Sequence, residues 1–250
     1  MGPMRTVGID LAADRATTAM VAVQWRADEA VVASAMPQCG DEQLLQALVN
    51  LDAEDRAGVD CPFGWPVQFV DAVLAHREGR PWPGRGQDSG RYRKDHLRYR
   101  VTDAVVADAI RPHRPLSASF ERLGAAVARW AHLEDELAAH GRPVDRAGSG
   151  PVCEVYPKAS RLRWGLPVDI RSMSVLLTAA PWLHCTAQDR DLLDRSEHAF
   201  DALLCALTAR AVALGLTDLP GPDQIASART EGWIHLPGAR TLTQLPHAPV

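Results

Sequence analysis

The order of the elements predicted in the first 60 residues limits the folds open to this chain. Hydrophobic patterning predicts three β-rich segments, a helix with an apolar stripe and a short strand, in the order 5–12, 17–25, 29–36, 41–51 and 57–61. Successive strands favour an antiparallel meander, and a strand reached through a helix favours parallel pairing with the first. We therefore expect an α/β fold, with a mixed central sheet built on a β-β-β-α-β core and flanked by helices.

Composition and charge indicate a globular protein without a general affinity for polyanions. The 250 residues are 46% hydrophobic and 23% charged, enough to bury a substantial core, and we expect one domain over residues 1–250. A formal net charge of −4 leaves nucleic-acid binding to a local basic patch. Five cysteines without a C-x-x-C pair favour free thiols in a reducing compartment. With no signal-peptide pattern and no apolar run of membrane length, we expect a cytoplasmic protein with no membrane partner, and the sequence leaves the oligomeric state open.

The second half of the chain is predicted to be mainly helical. A long amphipathic helix is predicted at 119–140, a strand at 151–156 and another helix at about 195–214. Asp194 and Glu197 have the spacing of a capping box for that last helix.

Two segments depart from regular patterning. Residues 77–100 are rich in glycine and proline and carry eight basic side chains against three acidic ones, which predicts an inserted basic loop. The proline-rich end, 238–250, is predicted to be flexible. Basic side chains interleaved with Trp82, Tyr92 and Tyr99 suit a nucleic-acid backbone with exposed bases, although a solvated surface loop has the same composition.

Acidic residues follow several of the predicted strands. Asp10 and Asp60 end the first and fourth, Glu154 ends a later one, and Asp201 lies one helical turn after His198 on the last long helix. Carboxylate oxygens are the ligands of hard cations such as Mg²⁺ or Mn²⁺, and two such ions can activate water against a phosphodiester. The sequence thus predicts a divalent-metal site, with His198 protonating the leaving group or positioning the water.

Structural roles also fit some of these acids. Asp60 precedes Cys-Pro and could cap a turn, and Glu154 could pair with Arg161 or Arg163. For Asp194, helix capping is a sufficient explanation.

Six short pieces, taken in order, resemble the DUF429 family of predicted nucleases with a ribonuclease H-like fold. They are GIDLAA at 8–13, VDCPFGWP at 59–66, RVTD at 100–103, CEVYPKA at 153–159, EHAFDALLCALTA at 197–209 and EGWI at 231–234. The resemblance implies a metal site made by Asp10, Asp60, Glu154 and Asp201.

The resemblance also draws attention to two basic residues. Arg100 could contact a substrate phosphate through two parallel hydrogen bonds, while Asp103 fits a helix cap. Lys158 is a second candidate phosphate contact, and helix capping at YPKAS is its simpler explanation.

These observations predict a metal-dependent nuclease acting on DNA or RNA. The Gly-Ile-Asp start, with Thr17 and Thr18 beyond it, also resembles the first phosphate strand of actin and sugar kinases, so a nucleotide-binding phosphotransferase is an alternative. Against it, the chain lacks a second D-x-G phosphate loop. A catalytically inactive module that binds nucleic acid or protein is a third hypothesis.

Overall fold

The computed structural model describes residues 4–247 and has a mixed α/β architecture. Its strands are β1 (Arg5–Asp10), β2 (Ala19–Arg26), β3 (Glu29–Met36), β4 (Arg56–Asp60), β5 (Val152–Glu154) and β6 (Leu183–His184). Its α-helices are α1 (Asp41–Val49), α2 (Val67–Arg77), α3 (Ser89–Tyr92), α4 (Val101–Ala109), α5 (Gly124–Ala139), α6 (Pro157–Trp164), α7 (Met173–Ala179), α8 (Ala187–Arg195), α9 (Glu197–Ala213) and α10 (Ile225–Glu231).

The six strands form one sheet in the order β5-β4-β1-β2-β3-β6. β1, β2 and β3 are antiparallel neighbours, whereas β4 lies parallel to β1 and β5 parallel to β4. The predicted meander and the predicted parallel pairing of the first and fourth strands are both confirmed. Beyond β5, Ile234 forms a single parallel bridge to Glu154, so the segment around residue 234 reaches the edge of the sheet.

Hydrophobic cores cover both faces of the sheet. On one face, Val7, Ile9 and Val59 pack with apolar side chains of α1 and α5. On the other, α9 lies across β1, β2 and β4, and its side chains are buried nearly all round. A helix without a polar face belongs inside a core, which fixes α9 against the sheet.

Two predicted helices start later than the sequence pattern indicates. The helix predicted from residue 119 begins at Gly124 and, as expected, ends before Gly141, which has φ +73°. The helix predicted from about residue 195 begins at Glu197, because α8 continues to Arg195.

The capping box predicted for that second helix was wrong. Ser196 caps α9 by accepting a hydrogen bond from the backbone N–H of Ala199. Asp194 instead accepts one from the backbone N–H of Met173, at the start of α7.

The basic segment and the C-terminal end are more ordered than expected. Residues 77–100 are not one irregular loop, because they contain α3 and a π-helical turn at Arg93–Leu97, anchored by Tyr92 and Leu97 against α2. Residues 238–247 are not a flexible tail, since Leu242 and Leu245 are buried in the core. The last part of the predicted tail, 248–250, lies outside the described residues.

None of the helices within residues 4–247 combines the length and the apolar character needed to cross a membrane.

Candidate active site

Close backbone packing positions α9 over the ends of β1 and β4. A Cβ at Gly8 would lie 1.9 Å from the carbonyl oxygen of Ala202, and a Cβ at Gly58 would lie 2.5 Å from that of Cys205. Only glycine allows so close an approach of helix and strand. The contact at Ala202 places the neighbouring Asp201 beside the end of β1.

Asp10 and Asp60 occupy matching positions at the ends of two parallel strands. They are Cα partners in the register, and each lies two residues after its packing glycine, so both point to the face that α9 covers. Both line a cavity of about 300 Å³. Asp10 accepts a hydrogen bond from His198, whereas Asp60 has no ion-pair partner anywhere in residues 4–247.

Burial and mutual repulsion make these two carboxyl groups hard to ionise. Burial is the main cause that raises the pKa of Asp60 well above its ordinary value, and the charges of Asp10 and Asp201 add to it. Burial also raises the pKa of Asp10, while the hydrogen bond from His198 opposes the shift. Without a cation, the cavity therefore favours the protonated form of Asp60, and a bound cation would favour the ionised form.

His198 and Asp201, both on α9, complete the group of site residues around Asp10 and Asp60. The Nδ1 atom of His198 lies 2.8 Å from Oδ2 of Asp10, and this hydrogen bond raises the pKa of His198. Asp201 is paired with Arg171, whose Nη2 atom lies 2.9 Å from Oδ2 of Asp201. The structure thus brings together Asp10, Asp60, His198 and Asp201, as the sequence predicts.

The carboxylate of Glu154 is already paired and is not free to bind a metal ion beside Asp10, Asp60 and Asp201. It is the Cα partner of Val59, so its side chain points to the opposite face of the sheet from Asp60. One of its oxygens accepts from Nη2 of Arg100 at 2.7 Å, and the other accepts from Nη1 of Arg100 at 2.8 Å and from the backbone N–H of Phe63. Its partner is therefore Arg100 and neither Arg161 nor Arg163.

Arg100 is correspondingly unavailable to a substrate. Its side chain is 1% exposed, and its N–H groups are shared among Glu154, Asp103 and the carbonyl oxygen of Glu231. Burial alone would lower the pKa of Arg100, but the charges of Asp103 and Glu154 raise it above its ordinary value. The guanidinium group ties α4, β5 and the C-terminal segment together, which leaves no N–H group of Arg100 for the predicted phosphate contact.

The remaining predictions around Arg100 have different outcomes. Asp103 does cap α4, accepting a hydrogen bond from the backbone N–H of Arg100, the residue before the helix. Lys158 lies exposed on α6 and outside the cavity lining. No hydrogen bond from Lys158 to a helix end is present among the described residues, so neither role predicted for it is observed.

Three further residues of the site were not predicted from the sequence. Arg171 lies between α6 and α7, in a segment with no regular pattern, and pairs with Asp201 across 30 residues of sequence. Arg122 is exposed at the rim of the cavity and makes no ion pair within residues 4–247. Tyr156 also lines the cavity, where burial and the charge of Asp60 raise its pKa to about 12.

The donor set suits a hard cation bound jointly with a substrate. Among the described residues, no three side chains of His, Cys, Asp or Glu form a ready-made metal cage. Mg²⁺ usually takes only one or two carboxylates from a protein and fills its other positions with water or substrate phosphate, and Mn²⁺ prefers the same oxygen donors. Asp10 and Asp60 provide those two carboxyl groups, and a bound cation would favour their ionised forms, so the pair fits such an ion.

Comparison with known proteins identifies a family, but the description of that family assigns no activity. A family model described as "Protein of unknown function (DUF429)" matches residues 8–225, a span that includes Asp10, Asp60 and Asp201. Neither a curated protein nor a solved structure matches the chain.

Proposed function

The chain belongs to the DUF429 family, and on that premise we propose that it is a metal-dependent nuclease with a ribonuclease H-like fold. The order β1-β2-β3-α1-β4, with β4 parallel beside β1, supports the fold assignment. The observation that supports the activity is the pair Asp10 and Asp60, two carboxyl groups held side by side in a cavity where no cation of residues 4–247 pairs with Asp60.

A divalent cation supplies that missing charge. When bound by Asp10 and Asp60, Mg²⁺ or Mn²⁺ would provide Lewis-acid activation of water and stabilise the negative charge that develops on the phosphate. A two-metal mechanism needs further oxygen donors, and Asp201 is the third carboxylate of the group. Arg171 would have to release Asp201 for that role.

The side chains of the chain itself account for the proton transfer and the orientation of the substrate. The hydrogen bond to Asp10 favours protonated His198, which can donate its proton to the oxygen that leaves when the P–O bond breaks. The same hydrogen bond fixes the orientation of the imidazole ring. Arg122, exposed at the rim, is placed to bind a phosphate that enters the cavity.

A cleavage assay with matched variants tests the proposal. Labelled single-stranded, duplex and branched DNA and RNA are incubated with the protein in Mg²⁺ or Mn²⁺, and we expect metal-dependent cleavage that Asp60→Asn reduces at least 100-fold, roughly the loss seen when a key electrostatic group is removed. Asp28→Asn is the control, because Asp28 is 88% exposed in the turn between β2 and β3. Cleavage by Asp60→Asn at the wild-type rate would falsify the assigned site.

A further inference from the structure

We propose that a second pocket, separate from the cavity of Asp10 and Asp60, binds the bases of a single-stranded nucleic acid and guides the strand to that cavity. This aromatic pocket is formed chiefly by Phe69, Trp82, Tyr92, Arg93, Leu97 and Phe120. The inference rests on the proposed nuclease function for its biological meaning, but the binding step can be measured without catalysis.

The aromatic pocket presents open ring surfaces. It has a volume of about 420 Å³, and two of its aromatic side chains are partly exposed, Trp82 with 40% of its surface in solvent and Phe120 with 44%. Tyr92 forms a buried wall, because the backbone of Gly84 lies directly against its ring. Clustered exposed apolar surface marks interaction sites, and flat rings are the surfaces on which unpaired bases stack.

Contacts between the rings hold the pocket in place. Phe120 packs edge-on against Phe69, with ring centroids 5.4 Å apart, and Trp82 packs edge-on against Tyr92 at 6.4 Å. Tyr92 and Leu97 are in turn anchored on α2. The rings are thus positioned before a ligand arrives, which lowers the entropic cost of binding.

The charges around the aromatic pocket favour a polyanion. The acidic neighbours are engaged, since Glu78 pairs with Arg80, Asp95 with Arg91 and Glu121 with Arg98. The remaining acid of the segment, Asp88, caps α3.

Three exposed cations remain, namely Arg85, Arg93 and Lys94, none of which has an ion-pair partner in the described part of the chain. Arg93 lines the aromatic pocket itself. Unpaired cations beside stacking rings are the combination by which proteins hold single strands, the cations binding phosphates and the rings binding bases.

The aromatic pocket lies next to the catalytic cavity along two chain segments. Leu97 lines the aromatic pocket and Arg100 lines the cavity, and three residues of chain span about 10 Å at most. Phe120 and Arg122 make the same connection on the second segment. A strand stacked on Trp82 and Phe120 can therefore pass Arg122 and enter the cavity.

Single strands are the expected ligand because the bases of a duplex are already stacked and paired. Stacking on Trp82 and Phe120 requires a free base face, which a duplex offers only at its ends.

Fluorescence anisotropy with labelled oligothymidine and oligouridine tests the inference. In EDTA, where a metal-dependent nuclease cannot cleave, we expect Trp82→Ala and Phe120→Ala each to weaken binding roughly 5-fold to 100-fold. Arg93→Gln should reduce the slope of log affinity against log salt by about one. Leu219→Ala, at an apolar side chain that is 71% exposed, is the control and should bind as the wild type does.

The outcomes separate this inference from the proposed catalytic function. Loss of binding in Trp82→Ala without any cleavage by the wild type would keep the aromatic pocket and reject the nuclease. Cleavage by a protein whose affinity survives the double change Trp82→Ala and Phe120→Ala would keep the nuclease and reject the pocket. Equal affinity for duplex and single strands, or no binding to either nucleic acid, would also overturn the inference. Melting temperatures of the variants, expected to match the wild type, exclude misfolding.

Discussion

Asp10 and Asp60 are Cα partners at the ends of β1 and β4, and their carboxyl groups face one cavity, although within residues 4–247 only Asp10 has a basic hydrogen-bonding partner, His198. Such an arrangement costs folding free energy, because both groups are partly buried and ionising one raises the cost of ionising the other. Proteins keep unfavourable charge of this kind where a ligand relieves it. The pair is thus best explained by what binds there and not by what it does for stability.

The first prediction follows from that cost. Asp60→Asn should stabilise the metal-free protein by about 1–2 kcal/mol, since the amide keeps the shape of the side chain and removes a group that ionises more easily in the unfolded chain than in the fold. Urea unfolding in EDTA measures the change. In Mn²⁺ the order should reverse, because the wild type gains binding free energy that the variant lacks. A variant less stable than the wild type under both conditions would contradict this account of the pair.

The second prediction concerns the buried ion pair of Arg100 and Glu154. Arg100→Met should destabilise the fold by about 3–5 kcal/mol, because Glu154 and Asp103 would be left buried without a cation. Urea unfolding measures the loss, and Lys158→Met, at an exposed cation on α6, should change stability by less than about 0.5 kcal/mol. If Arg100→Met instead kept its stability and bound nucleic acid more weakly, the result would contradict this structural role. It would support the phosphate contact that the sequence predicts for Arg100.

The difference between Glu154 and the other acids shows what the sequence could and could not provide. Asp10 and Asp60 were predictable as neighbours because each ends an apolar strand, and the β-β-β-α-β order makes those strands parallel and adjacent. The role of Glu154 depends on the face that a three-residue strand presents and on Arg100, 54 residues earlier in the chain. Arg171 and Arg122 have no local signal at all, since only the fold brings them to Asp201 and to the cavity.

The third prediction tests the close packing of α9 on β1. Gly8→Ala should destabilise the protein by about 3 kcal/mol or more, because the added Cβ would overlap the carbonyl oxygen of Ala202 and force α9 away from the sheet. The displacement should also move Asp201 and reduce any metal-dependent activity. Gly124→Ala, at the first residue of α5, is the matched control, since nothing lies within 4 Å of a Cβ there, and the change should alter stability by less than about 0.5 kcal/mol. Equal stabilities for the two variants would show that the contact at Gly8 is not restrictive.

The fourth prediction concerns the pH dependence of stability and rests on His235. This side chain is fully buried, with Nδ1 3.2 Å from the hydroxyl oxygen of Thr217, and burial lowers its pKa to about 4. In the unfolded chain the pKa returns to about 6.5, so the unfolded state takes up a proton first as the pH falls. Burial of neutral His235 therefore lowers the free energy of unfolding only as the pH falls. This free energy is at its full value above about pH 6.5 and decreases progressively towards pH 4.

Urea unfolding at several pH values measures this loss. Between about pH 7 and about pH 5, the wild type should lose about 2 kcal/mol through His235 alone. His235→Gln removes the titrating group, so its stability should fall less steeply over that interval, whatever its stability at pH 7. His132→Gln, at an exposed position on α5, should leave the wild-type slope unchanged. The same slope in the wild type and in His235→Gln would mean that His235 does not remain neutral inside the fold.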